Sequence, residues 1–202
     1  MLGEYLILFT AALVIGLYLM ENNTLNQKKL QGKTIVFIRH GEKPASDLGQ
    51  LNCQGLNRSL AIPDVLIGRY GRASKIYAPN PSVEKKFKGQ GYCYVRPLAT
   101  IEPTAIRLGI PVNVKHGFED VDTVANKLFH SNHDIIFVAW EHVQLVKMVK
   151  RLLVKYGKNP DCVPNWHGSD FDSIYVVNVH GDNVSFLHEY QGLNGQGESC
   201  KT

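Results

Sequence analysis

The sequence has no CxxC pair. Its four cysteines, Cys53, Cys93, Cys162 and Cys200, are spaced like no zinc module. There is also no Walker loop, no GxGxxG and no GxSxG. Their absence removes the P-loop phosphate cradle, the dinucleotide fingerprint and the serine nucleophile elbow. Blocks of like charge are missing too: 22 Lys and Arg against 18 Asp and Glu leave a net charge of +4. Without a basic stripe, no nucleic-acid partner is expected, whereas a mild excess of positive charge suits an anionic small molecule. No internal repeat or low-complexity tract occurs. With 202 residues, 44% hydrophobic and 20% charged, the chain reads as one globular domain plus accessories. The cysteines are compatible with two disulfides in an oxidising compartment or with four free thiols, and spacing leaves both open.

What is present begins with an uncharged run, Tyr5–Met20 (YLILFTAALVIGLYLM). As a helix it would span roughly 24 Å, slightly short of a hydrocarbon core of about 30 Å. No Lys or Arg precedes it, and its end is not A-x-A-like, so a membrane anchor is favoured over the alternative, export by a cleaved signal peptide. Lys28, Lys29 and Lys33 follow it. The positive-inside rule then favours a cytoplasmic domain, although many chains of this layout are exported, and the side of the membrane stays open. The expected organisation is residues 1–21 as a hydrophobic anchor or signal segment, 22–32 as a polar linker, and 33–202 as the functional domain.

Within that domain, strand-like and helix-like stretches alternate. Buried strands are expected at 33–39 (KTIVFIR) and 134–140 (DIIFVAW), with short ones at 75–78 and 112–115. Helices are expected at 55–70, interrupted early by Pro63, at 97–108 with a kink at Pro103, at 119–129 and at 143–156. Residues 79–94 read as loop, in which Tyr92-Cys93-Tyr94 is a binding aromatic cluster or loop packing, with packing favoured. A closing hairpin is expected from 173–179 and 184–188 around the turn 180–183. This alternation predicts an α/β fold, a three-layer sandwich with a mostly parallel central sheet and helices on both faces.

Sites in open α/β sheets lie beyond the carboxyl ends of strands. Two strands run straight into reactive residues. One ends in Arg39-His40-Gly41-Glu42-Lys43-Pro44, the other in Ala139-Trp140-Glu141-His142. A single strand-end histidine is commonly a backbone-bonded one. Two such ends, one carrying an adjacent arginine, point to a shared site. His130-x-x-His133 reads as a helix end bonded to its own carbonyls, with no acidic or Cys partner at ligand spacing, so neither a metal nor a cofactor is expected.

These segments resemble a known family. Arg39-His40-Gly41 after the first strand resembles the RHG signature of the histidine phosphatase superfamily, with its phosphoglycerate mutase-like fold. Leu51-Asn52-x-x-Gly55-x-x-Arg58-Ser59 resembles the segment that opens that family's first helix, and Ile76-Tyr77-Ala78-Pro79 resembles its second strand. Arg96-Pro97-Leu98-Ala99-Thr100-x-x-Pro103-Thr104-Ala105 resembles the stretch carrying the second phosphate arginine. Trp140-Glu141-His142 stands where the family places its second histidine. The resemblance runs from about Thr34 to Val179.

The resemblance implies a metal-independent phosphomonoesterase of the histidine acid phosphatase type, acting through a phosphohistidine on His40. Only a neutral imidazole has a lone pair for attack, and Arg39, Arg96 and Lys43 would disfavour a further positive charge on it. The same cations would neutralise the phosphoryl oxygens, His142 would be a further donor, and Gly41 would let the backbone approach the phosphate. For the general acid, Glu119 ranks above its rival Glu141. Departures from the family pattern at Lys43-Pro44, Ala78 and Glu141-His142-Val143 favour hydrolysis over mutase activity. The alternatives are a catalytically weak, membrane-tethered phosphate-ligand-binding module and a phosphomutase. The partner expected is a small phosphomonoester or a phosphoprotein, with loops 47–52, 83–94 and 161–170 forming the pocket rim.

Overall fold

The computed structural model describes residues 32–200. Its central sheet has six strands in the order β5-β2-β6-β1-β7-β8. These are β1 (Lys33–Arg39), β2 (Lys75–Tyr77), β5 (Val112–Asn113), β6 (Ile135–Trp140), β7 (Ser173–His180) and β8 (Asn183–Tyr190). β5, β2, β6 and β1 run parallel, while β7 and β8 close the sheet antiparallel. A separate two-stranded hairpin, β3 (Glu84–Phe87) and β4 (Gln90–Cys93), stands beside the sheet. Four α-helices complete the described residues: α1 (Cys53–Tyr70), α2 (Arg96–Leu108), α3 (Val121–Phe129) and α4 (His142–Lys155).

Burial on both faces explains the near-continuous apolar runs of β1 and β6. One face packs Ile35, Phe37, Ile136 and Val138 against Val124 and Leu128 of α3 and Val149 and Leu152 of α4. The other packs Val36, Ile38, Phe137 and Ala139 against Ile62 and Leu66 of α1 and Ile101 and Ala105 of α2. The expected three-layer α/β sandwich is therefore the observed one.

Local differences from the sequence reading have physical causes. α1 begins at Cys53, two residues early, because Asn52 caps it by accepting from the Gly55 N–H at 2.9 Å. Neither Pro63 nor Pro103 ends its helix. An interior proline costs about 3 kcal/mol, and burial of Ile62, Leu66, Ile101 and Ala105 on the same helices, at roughly 1.5–3 kcal/mol for each large side chain, offsets it. Residues 79–94 are not all loop. Lys88 (φ 48°) and Gly89 (φ 85°) make the tight left-handed turn of a hairpin.

The cysteine question resolves to one disulfide, Cys53–Cys200, which ties the start of α1 to a segment 147 residues later. Cys93 and Cys162 are free and exposed. The same region is clamped by Arg58, which is buried. Arg58 grips Glu42 with both Nε and Nη2, and Nη1 donates to Asp172 at 3.1 Å and to Gln191 at 3.0 Å. Asp172 in turn accepts from the N–H groups of Gly192 and Leu193.

The expected membrane attachment is corrected. Among the described residues no helix is long and apolar enough to cross a membrane. The longest, α1, has 18 residues but carries Arg58, Asp64 and Arg69. Tyr5–Met20 and nearly all of the linker lie outside the described residues.

Closing so long a loop lowers the entropy of the unfolded chain by an amount worth up to about 5 kcal/mol. Cys200→Ser, or reduction of the wild type, is expected to lower the thermal midpoint by several degrees in a calorimetric scan, whereas Cys93→Ser and Cys162→Ser leave it unchanged. Equal midpoints for reduced and oxidised protein would mean that the bond does not form in solution.

Candidate active site

The site forms because β1 and β6 are parallel neighbours in matched register, Arg39 opposite Trp140. The His40 N–H extends the ladder by donating to the Trp140 carbonyl at 3.1 Å. The next residues, Glu141 and His142, therefore emerge beside His40, with Glu141 capping α4 through its Oε2, which accepts from the Gln144 N–H at 3.0 Å. The turn after His40 is drawn tight against α1. A Cβ on Gly55 would lie 2.3 Å from the Glu42 carbonyl oxygen and 2.7 Å from its nitrogen, and one on Gly41 would lie 2.9 Å from the Gly55 carbonyl oxygen. Gly41 serves this backbone contact, and its N–H donates to Thr100 Oγ1 on α2 at 2.9 Å.

His40 is 1% exposed. Its Nδ1 is 2.7 Å from the Gly41 carbonyl oxygen. A carbonyl only accepts, so Nδ1 carries the proton and Nε2 keeps a lone pair. Burial, then Arg96 and Arg39, push the imidazole well below its ordinary value, outweighing the Gly41 bond and Glu141, which act the other way. The ring is neutral at pH 7.

Arg39 is buried, and burial lowers its guanidinium to about 10. Nη1 donates to the Gly168 and Asp170 carbonyls at 2.8 and 2.7 Å, and the group stacks 3.9 Å above the Phe171 ring. Arg96, at the start of α2, donates through Nη1 to the Asp47 carboxylate. Burial would raise Asp47, but Arg96 and then Lys43 hold it below its usual range. Lys43 lies 3.3 Å from the other Asp47 oxygen. Glu141 shows the same contest. Burial would raise it, while His142, Lys85 and the cap bond bring it down to about 2. Its Oε1 is 2.7 Å from His142 Nδ1 and 3.7 Å from Lys85 Nζ. The His142 approach is close but out of line for a hydrogen bond.

Four buried polar atoms here lack a hydrogen-bond partner among the described residues: Arg39 Nε, Arg96 Nε, Tyr94 Oη and His142 Nδ1. Three of them carry an N–H or O–H without an acceptor on residues gathered around His40, an arrangement suited to an oxyanion. Arg39, Arg96 and Glu141 act electrostatically on His40 directly, and His142 joins through Glu141.

Glu119 does not join them. It is exposed and lines a groove of about 550 Å³ with Gln144, Lys147, Lys150 and Arg151. The helix expected to open at Glu119 begins instead at Val121, after a turn in which Asp120 accepts from the Gly117 N–H. His130 bonds the Asn126 carbonyl and His133 meets Ser74, so these two face different partners. The sequence reading placed Lys85 and Tyr94 in the rim loop 83–94 without singling either out as a site residue, and Phe171 lies one residue beyond the rim segment 161–170. Gly89, after Lys88, was the signal that this rim loop is a hairpin.

No protein-family model matches this sequence, and neither does any curated protein. Solved structures do match. SixA, a protein histidine phosphatase complexed with tungstate, aligns with a TM-score of 0.54 at 17% identity, covering 78% of this chain and 97% of that one. Phosphoglycerate mutase from Plasmodium falciparum gives 0.51 at 13%, covering 81% and 92%. A mycobacterial glucosyl-3-phosphoglycerate phosphatase with inorganic phosphate gives 0.50 at 12%, covering 78% and 95%. The fold is the phosphoglycerate mutase-like α/β sandwich that these structures share. At these identities the likeness concerns the phosphoglycerate mutase-like fold, and this chain's chemistry rests on its own residues.

A neutral, Nδ1-protonated His40 is expected to show an imidazole that does not titrate between pH 5 and 8 in ¹⁵N-edited spectra. The folded state then binds fewer protons than the unfolded chain once the pH drops below about 6.5. Stability therefore falls as pH decreases through that value, because the unfolded state gains the proton. A His40 ring titrating near 6.5 would contradict the burial and charge described above.

Proposed function

We propose that this chain is a phosphomonoester hydrolase that works through a phosphohistidine on His40. The observation that carries the reading is a buried, neutral imidazole with a free Nε2 lone pair, set between two buried arginines whose Nε groups are unpartnered. Solved neighbours that hold tungstate and inorganic phosphate, both tetrahedral oxyanions, support it.

In the first step the Nε2 lone pair attacks phosphorus, the N–P bond forms, and the P–O bond to the leaving group breaks with its electron pair passing to oxygen. In the second, water attacks phosphorus, the P–N bond breaks, and its pair returns to Nε2. Arg39 and Arg96 hold the phosphoryl oxygens through fixed guanidinium groups, and His142 is a further donor positioned by Glu141. Lys43 adds positive charge at the rim. Gly41 supports the loop that fixes His40. Asp47, which accepts from Arg96 Nη1, yields that edge to the phosphoryl group. The substrate is a phosphomonoester, on a small molecule or on a protein.

Wild type is expected to hydrolyse p-nitrophenyl phosphate and to form an acid-labile phosphoenzyme, with His40→Ala abolishing both. Arg39→Ala and Arg96→Ala are each expected to cost about 2–4 kcal/mol in kcat/KM, the usual loss for one preorganised oxyanion donor. Turnover no greater than that of His40→Ala over a broad pH range would favour a binding module, and acid-stable protein phosphate would exclude the P–N intermediate.

A further inference from the structure

Phosphoryl transfer to His40 leaves an alkoxide that needs a proton, and the carboxylates near the site are poorly placed to give one. Glu141 sits at about 2, held there by His142 and Lys85 against the effect of burial. Asp47 is kept ionised by Arg96 and Lys43. Glu42 is spent on Arg58. Glu119 faces another groove. Among the hydroxyls, Thr100 already donates to the Arg96 carbonyl at 2.8 Å and accepts from Gly41.

Tyr94 is different. Its side chain is fully buried, and its O–H has no acceptor among the described residues, while the Arg96 guanidinium, which only donates, approaches the oxygen. Leaving such a donor unpaired costs about 1–3 kcal/mol, so the position wants an acceptor. The ring meets His40 edge-on at 6.0 Å. The Arg96 guanidinium carbon lies 4.9 Å from its centroid and Lys85 Nζ lies 5.0 Å from it. Arg96, Glu141 and Arg39 are the charged groups that act on its hydroxyl. The phenol therefore lies against the His40 ring, within the field of Arg96 and Arg39, both of which favour a phenolate.

We propose that Tyr94 is the proton donor to the leaving-group oxygen in phosphoryl transfer to His40, an inference that rests on the phosphohistidine reading above. As the P–O bond breaks, its electron pair goes to the leaving oxygen, which takes the Tyr94 proton and departs as the alcohol. The phenolate left behind is balanced by Arg96 and Arg39, the two cations that act on its oxygen. When water attacks the phosphohistidine, one water proton returns to Tyr94 and the P–N electron pair returns to Nε2. No co-reactant other than water is needed. Burial keeps the phenol protonated until the leaving oxygen develops charge.

The test compares kcat/KM of wild type and Tyr94→Phe on p-nitrophenyl phosphate, whose leaving group needs no proton, and on a simple alkyl phosphate, whose leaving group does. The expected loss is on the order of a hundredfold on the alkyl ester and under about threefold on the aryl ester. Equal losses on both substrates, or no loss on either, would overturn the assignment while leaving the phosphatase reading intact. Inactivity of wild type on both would remove that reading and this one together. Should Tyr94→Phe fail to fold, as judged by its melting curve, 3-fluorotyrosine at position 94 takes its place. It keeps the shape and sharpens the acid, and an unaltered ratio of alkyl to aryl rates would then count against Tyr94.

Discussion

The parallel pairing of β1 with β6 is the constraint on which the site depends. These strands are about a hundred residues apart in sequence, yet one hydrogen-bond ladder, extended by His40 N–H to the Trp140 carbonyl, sets His40 beside Glu141. A slip by one residue would turn every side chain of β1 to the opposite face. It would exchange the Ile35/Phe37 and Val36/Ile38 cores as well as displace His40. Packing on both faces thus enforces the register that places His40, and the apolar run and the strand end form one structural unit.

Gathering buried cations at one point is costly, and the structure meets the cost with local partners. Arg39 has backbone carbonyls and the face of Phe171, Arg96 has Asp47 and the face of Tyr94, and Lys85 has Glu141 with the rings of Tyr94 and Phe118. A buried charge left unpaired would be far more destabilising than any of these contacts is stabilising. His40 escapes the problem by staying neutral. Each arginine is satisfied on one edge and unsatisfied at Nε, which keeps the cations folded in place and still able to take an anion.

Much of this was legible before the structure. β1 and β6 declared themselves through β-branched runs that end in Arg-His and Glu-His, and α3 and α4 through helical spacing of apolar residues. The conspicuous segment around Arg96 marked a residue that the fold does bring to His40. What stayed hidden depended on long-range geometry. Nothing local to Arg58 says that it will clamp Glu42, Asp172 and Gln191, and cysteine spacing cannot choose between Cys53–Cys200 and other pairings. Glu119 looked like a strand-end acid, but the turn at 117–120 aims it at the neighbouring groove. Asp47 and Leu48, both at positive φ, have no sequence signal for that conformation, although their loop decides what Arg96 holds. The hairpin at 84–93 was obscured because its strands are short and half exposed, without the alternation that marks longer ones.

The Arg58 clamp and the disulfide bear on how the molecule is made. The turn following His40 leans on Gly55 and is fixed through Glu42 to Arg58, whose remaining partners include Gln191 and Asn194, while Cys53 waits for Cys200. With 147 residues between the two sulfurs and ribosomal elongation at about 5–20 residues per second, roughly 7–30 s separate them during synthesis. Over that interval the helix start behind the nucleophile lacks its last supports. A nascent chain therefore carries its imidazole and arginines in an unfinished setting and assembles a competent pocket only after the closing strand and the segment beyond it have emerged.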